Sequence, residues 1–463
     1  MLLTTTLKKN NSLKLLLLCV SFVLYFVFAY YLERTAYAKL VGVYTLLFVC
    51  FYFAIKLFKG RFYLLVLIAF LFRLVFLLAI PNLSQDFYRF IWDGRMLLNG
   101  VNPYLNTVTS FIARGVYPVA QAQELYMGMG ELNAGHYTNY PPINQFCFFI
   151  AALFSSKSIL GSAIVFRLLI ICADFGTLYF GKKILENLNL SVYNIFLYLL
   201  NPFIIIELTG NLHFEAVMIF FLIWSLYLLQ VGKWRWSACV LALSISVKLM
   251  PLIFLPLFLK YFVFKSNSIK SFSWSGLKEL LTFYGVTLGV TLLLFLPFFS
   301  TNFISNYSQT VMLWFQNFEF NASLYYVARS IGYMFRGYNE IAIIGKITPV
   351  LVFLCIVLMA LFYKTKSMAG LIAAMLLGLS FYFFTTTTVH PWYIATLLIL
   401  SVFTSYKFPL IWSFVIILSY LAYINIDKAD KSENLIIIAV EYLIVYGALI
   451  YDFTQIKASK KLT

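Results

Sequence analysis

Long apolar runs separated by short polar stretches dominate the chain. A spanning helix needs about 20 mostly apolar residues. Candidate runs lie at about 14–32, 40–58, 62–80, 160–181, 191–208, 213–230, 236–248, 250–264, 279–299, 341–362, 367–384, 392–405, 408–425 and 434–453. The pattern predicts an all-α, polytopic membrane helical bundle of about 12–14 transmembrane helices. The first run follows Lys8, Lys9 and Lys14 as a signal peptide would. It is too long for an h-region and lacks a small-residue cleavage site, so a retained anchor is expected. A run at 144–157 is too short to span and is expected to lie on the membrane surface.

Between about 81 and 159 the pattern changes. Phe87, Phe90, Ile91, Leu97 and Leu98 fall at helical spacing and predict a short amphipathic helix over about 86–98. Its apolar face is expected to rest on lipid or on the bundle. Asp86 stands at its start, where a helix N-terminus favours a carboxylate, and Gly100 with Asn102-Pro103-Tyr104 ends it. No tandem repeat or separate soluble domain is evident. The expectation is one polytopic domain over 1–463, with two large outside loops at about 81–159 and 300–340.

Composition agrees with a lipid solvent. Of 463 residues, 62% are hydrophobic and only 11% charged, against about 25% charged in soluble proteins. A soluble enzyme, a disordered chain and a disulfide scaffold are thereby excluded. The six cysteines form no CxxC pair and read as packing residues. The net charge of +17 would suggest nucleic acid in a soluble protein. With both termini cytoplasmic, however, 20 of the 34 basic residues and only three of the 17 acidic ones fall on the cytoplasmic side. That side carries the whole +17, the outside −1 and the membrane +1. The positive-inside rule explains the charge, so no nucleic-acid partner is implied. Short cytoplasmic loops and the absence of GxxxxGK[ST] argue against ATP-driven transport.

The unusual polar residues collect outside. Asp86, Arg89, Asp93 and Arg95 crowd the first loop among aromatics, and Asn139-Tyr140-Pro141-Pro142 forms a second turn there. Lys248 sits in Lys248-Leu249-Met250-Pro251, a polar break between two short helices that can line a cavity. A lysine snorkelling from a helix end is the plainer reading. Gly210-Asn211-Leu212-His213-Phe214-Glu215 makes the next outside turn. Thr385-Thr386-Thr387-Thr388-Val389-His390-Pro391-Trp392-Tyr393 makes a later one. There His390 opens a helix whose N–H groups attract anions, while Trp392 and Tyr393 read as interface-belt aromatics. Arg167 and Asp174, seven apart in one apolar run, are expected to face the bundle and pair with each other or with polar neighbours.

Taken in order, Asp86-x-Tyr88, Asp93-Gly94, Gly100-x-Asn102-Pro103-Tyr104, Tyr140-Pro141-Pro142, Lys248-x-x-Pro251 and His390-Pro391-Trp392-Tyr393 resemble the GT-C glycosyltransferases, over about 60–405. The likeness is strongest to the mannosyltransferase of GPI-anchor assembly and its bacterial relatives. It implies a GT-C-like bundle with amphipathic helices in the first extracytoplasmic loop. It also implies transfer, with inversion, of a hexose such as mannose from a polyprenyl-phosphate sugar donor to a glycan or glycolipid acceptor.

In that chemistry a base takes the acceptor proton and cations or donors neutralise the departing phosphate. Asp86 is the candidate base. Lys248, Arg89 and His390 are candidates for the donor phosphate. Asp93, His213, Glu215 and Tyr140 are candidates for orienting the acceptor or sugar. Relatives often carry Asp-x-Asp in this loop, where this chain has Asp86-Phe87-Tyr88. A lone carboxylate is a poor ligand for Mg²⁺ or Mn²⁺, so no metal ligand is assigned; a divalent Mg²⁺ or Mn²⁺ held by Asp86 with His213 and Glu215 stays open as the alternative.

Three competitors stand beside this reading. A two-carboxylate glycosidase would use Asp86 and Asp93, but seven residues of helix separate them by roughly 10 Å. A transporter or flippase predicts inverted repeats, which are not seen. A surface-polysaccharide polymerase or ligase would lean on Arg329 and Arg336 in the late outside loop. A multi-pass protein of a bacterial inner membrane fits the topology, and so does one of an endoplasmic reticulum membrane.

Overall fold

The computed structural model describes residues 11–264, 272–363, 365–425 and 433–459. Lys8, Lys9, Lys265, Lys270, Lys364, Lys460, Lys461 and most of the outside turn expected at 426–433 lie outside the described residues. The architecture is all-α. Among the described residues the only β pairing is two isolated bridges.

Helices α1 (Asn11–Tyr31) and α2 (Tyr37–Leu57) pack together, and α3 (Phe62–Leu74) follows. Four short helices come next: α4 (Asp86–Leu98), α5 (Val108–Ala113), α6 (Ala122–Gly135) and α7 (Pro142–Phe154). The long α8 (Ile159–Asn187) leads to a broken pair, α9 (Val192–Leu199) and α10 (Pro202–Gly210), bent by 49°. Then come α11 (Glu215–Gln230), α12 (Trp234–Val247), α13 (Met250–Val263) and α14 (Trp274–Phe298). The chain continues through α15 (Thr301–Gln316), α16 (Leu324–Arg336), α17 (Ile341–Phe362) and α18 (Met368–Thr385). It closes with α19 (Pro391–Val402), α20 (Phe408–Leu421) and α21 (Leu435–Ser459).

Seven of these helices are long and apolar enough to cross a membrane, and the bent α9–α10 pair passes the same test. Each of the fourteen apolar runs read from the sequence coincides with an apolar helix or, at 191–208, with the bent pair. Six of those helices have only 10–17 residues, however, so among the described residues seven or eight spans meet the length test where 12–14 were expected. The protein is an integral, multi-pass membrane bundle.

The amphipathic helix expected over 86–98 is α4. It does not rest on lipid: Phe87, Phe90, Ile91, Trp92 and Met96 are all buried under α6, α7 and α8. Gly94 makes the closest approach possible, because a Cβ there would stand 2.2 Å from the Phe148 carbonyl oxygen of α7. Helix α7 starts on Pro142, whose missing N–H costs nothing at a first turn. Its outer face leaves Phe146, Leu153 and Phe154 exposed.

Buried charges fix the elements that carry the polar turns. Asp174 of α8 pairs with Arg73 of α3 at 2.8 Å and accepts from the Tyr198 hydroxyl of α9. Of the two pairings expected for Arg167 and Asp174, with each other or with polar neighbours, the structure shows the second. Seven residues make two turns, or about 10 Å of rise, too far for contact. Arg167 instead donates to the carbonyls of Leu77, Thr209 and Gly210. The last two are orphan acceptors at the end of α10, where the helix widens into a π-turn over Ile205–Gly210. Asn201 restarts α10 after the break by accepting from the Phe203 N–H.

The segment over about 300–340 contains two helices, α15 and α16. Leu324, Val327, Ile331, Met334 and Phe335 of α16 are exposed, while Tyr325 and Tyr326 are buried. Arg329 pairs with Glu319, and Arg336 with Glu340 at 3.3 Å. The two arginines that kept the polymerase or ligase reading open are thus held in local ion pairs.

Candidate active site

One cavity of about 780 Å³ lies where α4, the 209–215 turn, the α12–α13 break and the 386–393 turn converge. Asp86, Tyr140, His213, Glu215, Lys248 and His390 all line it. These six come from segments spread over 300 positions of chain, and the fold gathers them into one chamber.

Asp86 is the first residue of α4, with Gln85 as the cap residue. Its carboxylate makes no capping hydrogen bond; the neighbouring turn is tied instead by the Asp86 N–H donating to Ser84 Oγ at 3.3 Å. The carboxyl lies deep in the molecule yet opens to the cavity. Burial, together with the negative charge of Glu215, pushes its pKa up to about 6, against the opposing pull of Lys248 and Arg34.

Lys248 ends α12 in an extended conformation, which turns its side chain out of the helical path. Its ammonium contacts Glu215, the first residue of α11, and lies 3.9 Å from the centre of the Tyr393 ring. The snorkelling reading does not hold, because the side chain points into the chamber. Nor are Trp392 and Tyr393 a lipid-facing belt: Trp392 is sandwiched between His213, ring centres 3.6 Å apart, and His390, at 4.7 Å.

His390 is also flanked by Phe320, whose backbone bridges to the 387–389 segment. Burial, with Lys248 and Arg34 adding to it, lowers the His390 pKa to about 3. It therefore offers a neutral imidazole rather than a charge to any phosphate.

Arg89 and Asp93 are not brought to the cavity. Arg89 Nε donates to Asp93 Oδ1 at 2.9 Å, and its Nη1 donates to the carbonyls of Asn133 and His136. Gln145 takes the other Asp93 oxygen at 3.0 Å. The pair is fully buried and pins α4 to α6 and α7. With Asp93 sealed away, a glycosidase pairing of Asp86 and Asp93 has no geometry to support it.

Three residues near the site carried no role in the sequence reading. Glu207, buried in the π-turn, accepts from the Tyr420 hydroxyl at 2.8 Å and stands 3.8 Å from His213 Nε2. A carboxylate inside an apolar run was the available signal. Arg34, in the α1–α2 turn, lies over the Tyr420 ring and is felt by both Asp86 and His390; nothing local in the sequence marked it. His136, one of only three histidines, lines the same cavity.

Among the described residues, no three His, Cys, Asp or Glu side chains cluster to hold a metal. The charged partner of Glu215 is the Lys248 ammonium. The donor set present does not fit a Mg²⁺ or Mn²⁺ site.

The cavity is also lined by apolar side chains, among them Leu252, Ile253 and Leu255 of α13 and Val352, Phe353 and Ile356 of α17. Its wall is thus amphiphilic, with acid and base groups and hydrocarbon in one chamber.

A family model described as alpha-(1→6)-mannopyranosyltransferase, N-terminal domain, matches residues 17–263. The chain belongs to that family. It is a mannosyltransferase, in agreement with the GT-C resemblance read from the sequence. The match includes Asp86, Tyr140, His213, Glu215 and Lys248, while the His390 wall lies beyond it. No curated protein sequence matches the chain.

Proposed function

We propose that this mannosyltransferase moves mannose from a polyprenyl-phosphate donor to a glycan or glycolipid acceptor, on the extracytoplasmic face, with Asp86 as general base. The observation that carries this reading is the amphiphilic cavity. It joins the Asp86 carboxylate and the Lys248 ammonium to an apolar wall between α13 and α17. A lipid-phosphate sugar has the same division: a tail for the wall, a phosphate for the cation and a sugar between them.

In the reaction the acceptor hydroxyl attacks the anomeric carbon, the C1–O bond to phosphate breaks, and the hydroxyl proton passes to Asp86. The electron pair leaves on the phosphate, where Lys248 meets the growing charge. In-line attack inverts C1, so the α-linkage in the family's description requires a β-linked donor. A base pKa of about 6 suits this role, since the group is ionised at neutral pH and still basic enough to accept a proton.

The test uses membranes containing the full chain, labelled polyprenyl-phosphate mannose and octyl α-mannopyranoside as acceptor. Transfer by the wild type and its loss in Asp86→Asn is the expected result. Equal transfer by both would remove Asp86 as the base, and no transfer from any polyprenyl-phosphate sugar would remove the donor assignment.

A further inference from the structure

The charged residues account for part of the polar chamber. Another part of its wall, formed by the α6–α7 connection, the start of α7 and α15, contains His136, Asn144, Tyr307 and Trp314, with the Trp314 ring 6.2 Å from that of His390. Among the described residues, His136 Nε2, Asn144 Oδ1, the Tyr307 hydroxyl and Trp314 Nε1 are buried and make no hydrogen bond. Buried polar atoms are ordinarily satisfied, because leaving one unpaired forfeits its solvation. His213 Nε2, 3.8 Å from Glu207, is a fifth such atom in the cavity wall; the other four, which belong to no ion pair among the described residues, point to a ligand that supplies the missing partners.

The chemistry of these atoms identifies the ligand class. His136 Nδ1 lies 3.0 Å from the Tyr137 carbonyl, which can only accept, so Nδ1 holds the proton and Nε2 presents a lone pair. Burial and the nearby Arg89 lower the His136 pKa to about 4, which keeps the ring neutral. Asn144 Oδ1 is a second acceptor, Trp314 Nε1–H is a donor, and the Tyr307 hydroxyl is both. The His136 and Trp314 rings stand 5.4 Å apart at 79°, presenting aromatic surface between the polar atoms. None of the four carries charge. Such a wall suits neither a phosphate nor a carboxylate. It suits a pyranose, whose hydroxyls donate and accept while its C–H face lies on aromatic rings.

We propose that His136, Asn144, Tyr307 and Trp314 form the acceptor subsite, which holds an uncharged sugar by its hydroxyls. This rests on the mannosyl-transfer reading above and gives the neutral polar part of that cavity's wall to the acceptor.

The test measures acceptor and donor KM separately, in membranes, for Trp314→Phe, Asn144→Ala and His136→Phe. Trp314→Phe keeps an aromatic ring and deletes the N–H, so loss of folding is the least concern there. Each variant is expected to raise the KM for octyl α-mannopyranoside about tenfold, with donor KM changed less than about twofold. An unchanged acceptor KM in both Trp314→Phe and Asn144→Ala would overturn the subsite. So would a donor KM that rises in step.

Saturation-transfer NMR of octyl α-mannopyranoside on the detergent-solubilised protein, with octyl β-glucopyranoside as competitor, separates this proposal from the reaction itself. Binding that Trp314→Phe weakens, in a wild type that transfers nothing, keeps the subsite and removes the donor assignment. Transfer with undisturbed acceptor binding in all three variants keeps the reaction and removes the subsite.

Discussion

Arg89–Asp93 and Lys248–Glu215 are ion pairs of similar composition, and all four residues were candidates for the site on sequence grounds. They differ in what surrounds them. Arg89 is 1% exposed and Asp93 not at all, and backbone carbonyls and Gln145 take up much of their remaining bonding capacity. Glu215 is also buried, but Lys248 is 31% exposed, and that exposure is to the cavity. The first pair is a fastening, and the second is a cation held ready beside a carboxylate. Nearness to Asp86 in the chain does not decide between them. Arg89 is only three residues away, yet the packing of α4 turns it inward, while Lys248 arrives from 162 positions later.

The sharpest way to break this contrast is at the carboxylate that the open pair serves. Asp86→Asn keeps the shape and removes the base, so kcat/KM is expected to fall by about 10³-fold, within the range of general-base removal. Labelled-mannose transfer in membranes measures it. A loss of only a few-fold would leave the cavity without its proposed base.

The sealed pair is expected to fail differently. Arg89→Met leaves Asp93 buried and uncompensated, which costs about 3–5 kcal/mol of stability. The expected readout is a much lower melting temperature in detergent, with activity per folded molecule within a few-fold of wild type. A stable variant that loses its activity would return Arg89 to the list of donor-phosphate ligands.

Lys248→Met reverses that pattern. The residue is partly open and at a helix end, and Glu215 faces the cavity, so less stability is expected to be lost than in Arg89→Met. Removal of the charge opposite the leaving phosphate is expected to lower kcat/KM by about 10²-fold. Lys248→Arg recovering part of the rate would show that charge, rather than packing, is what the site uses.

These contrasts also show what the sequence could disclose. Apolar runs report exclusion from water, so the apolar helices and the bundle were legible, and so was α4, from its helical spacing. They do not tell lipid from protein interior, and Ile394–Val402 is buried throughout. Asp86, Lys248 and Glu215 were legible because a charge at the edge of an apolar run is conspicuous. What stayed hidden depends on rotation and on long-range packing. The spacing of Arg167 and Asp174 gave no hint that Arg73, 101 residues before Asp174, is the partner. Trp392 looked like a belt residue because its stacking partner His213 lies 179 positions earlier. The unpaired atoms of His136 and Trp314 belong to segments far apart in the chain, the α6–α7 connection and helix α15, and their common wall exists only in the fold.

The smallest expected effect, on pH dependence, tests the contrast most directly. Asp86 must be ionised to act, so kcat/KM is expected to fall as pH drops through about 6, its raised pKa. The loss should not reflect unfolding caused by this group. With a native pKa above its ordinary value of 3.8, Asp86 binds more protons folded than unfolded, so its own contribution to stability grows as pH falls through that window. Glu215 raises the Asp86 pKa and Lys248 lowers it, so Glu215→Gln should move the acid limb to lower pH and Lys248→Met to higher pH. Each shift is expected to be less than about one unit. The sealed pair gives the control: Asp93→Asn, measured on the fraction that remains folded, should leave the limb in place. If Asp93→Asn moves it as far as Glu215→Gln does, both pairs act on the base, and the distinction between fastening and poised cation fails.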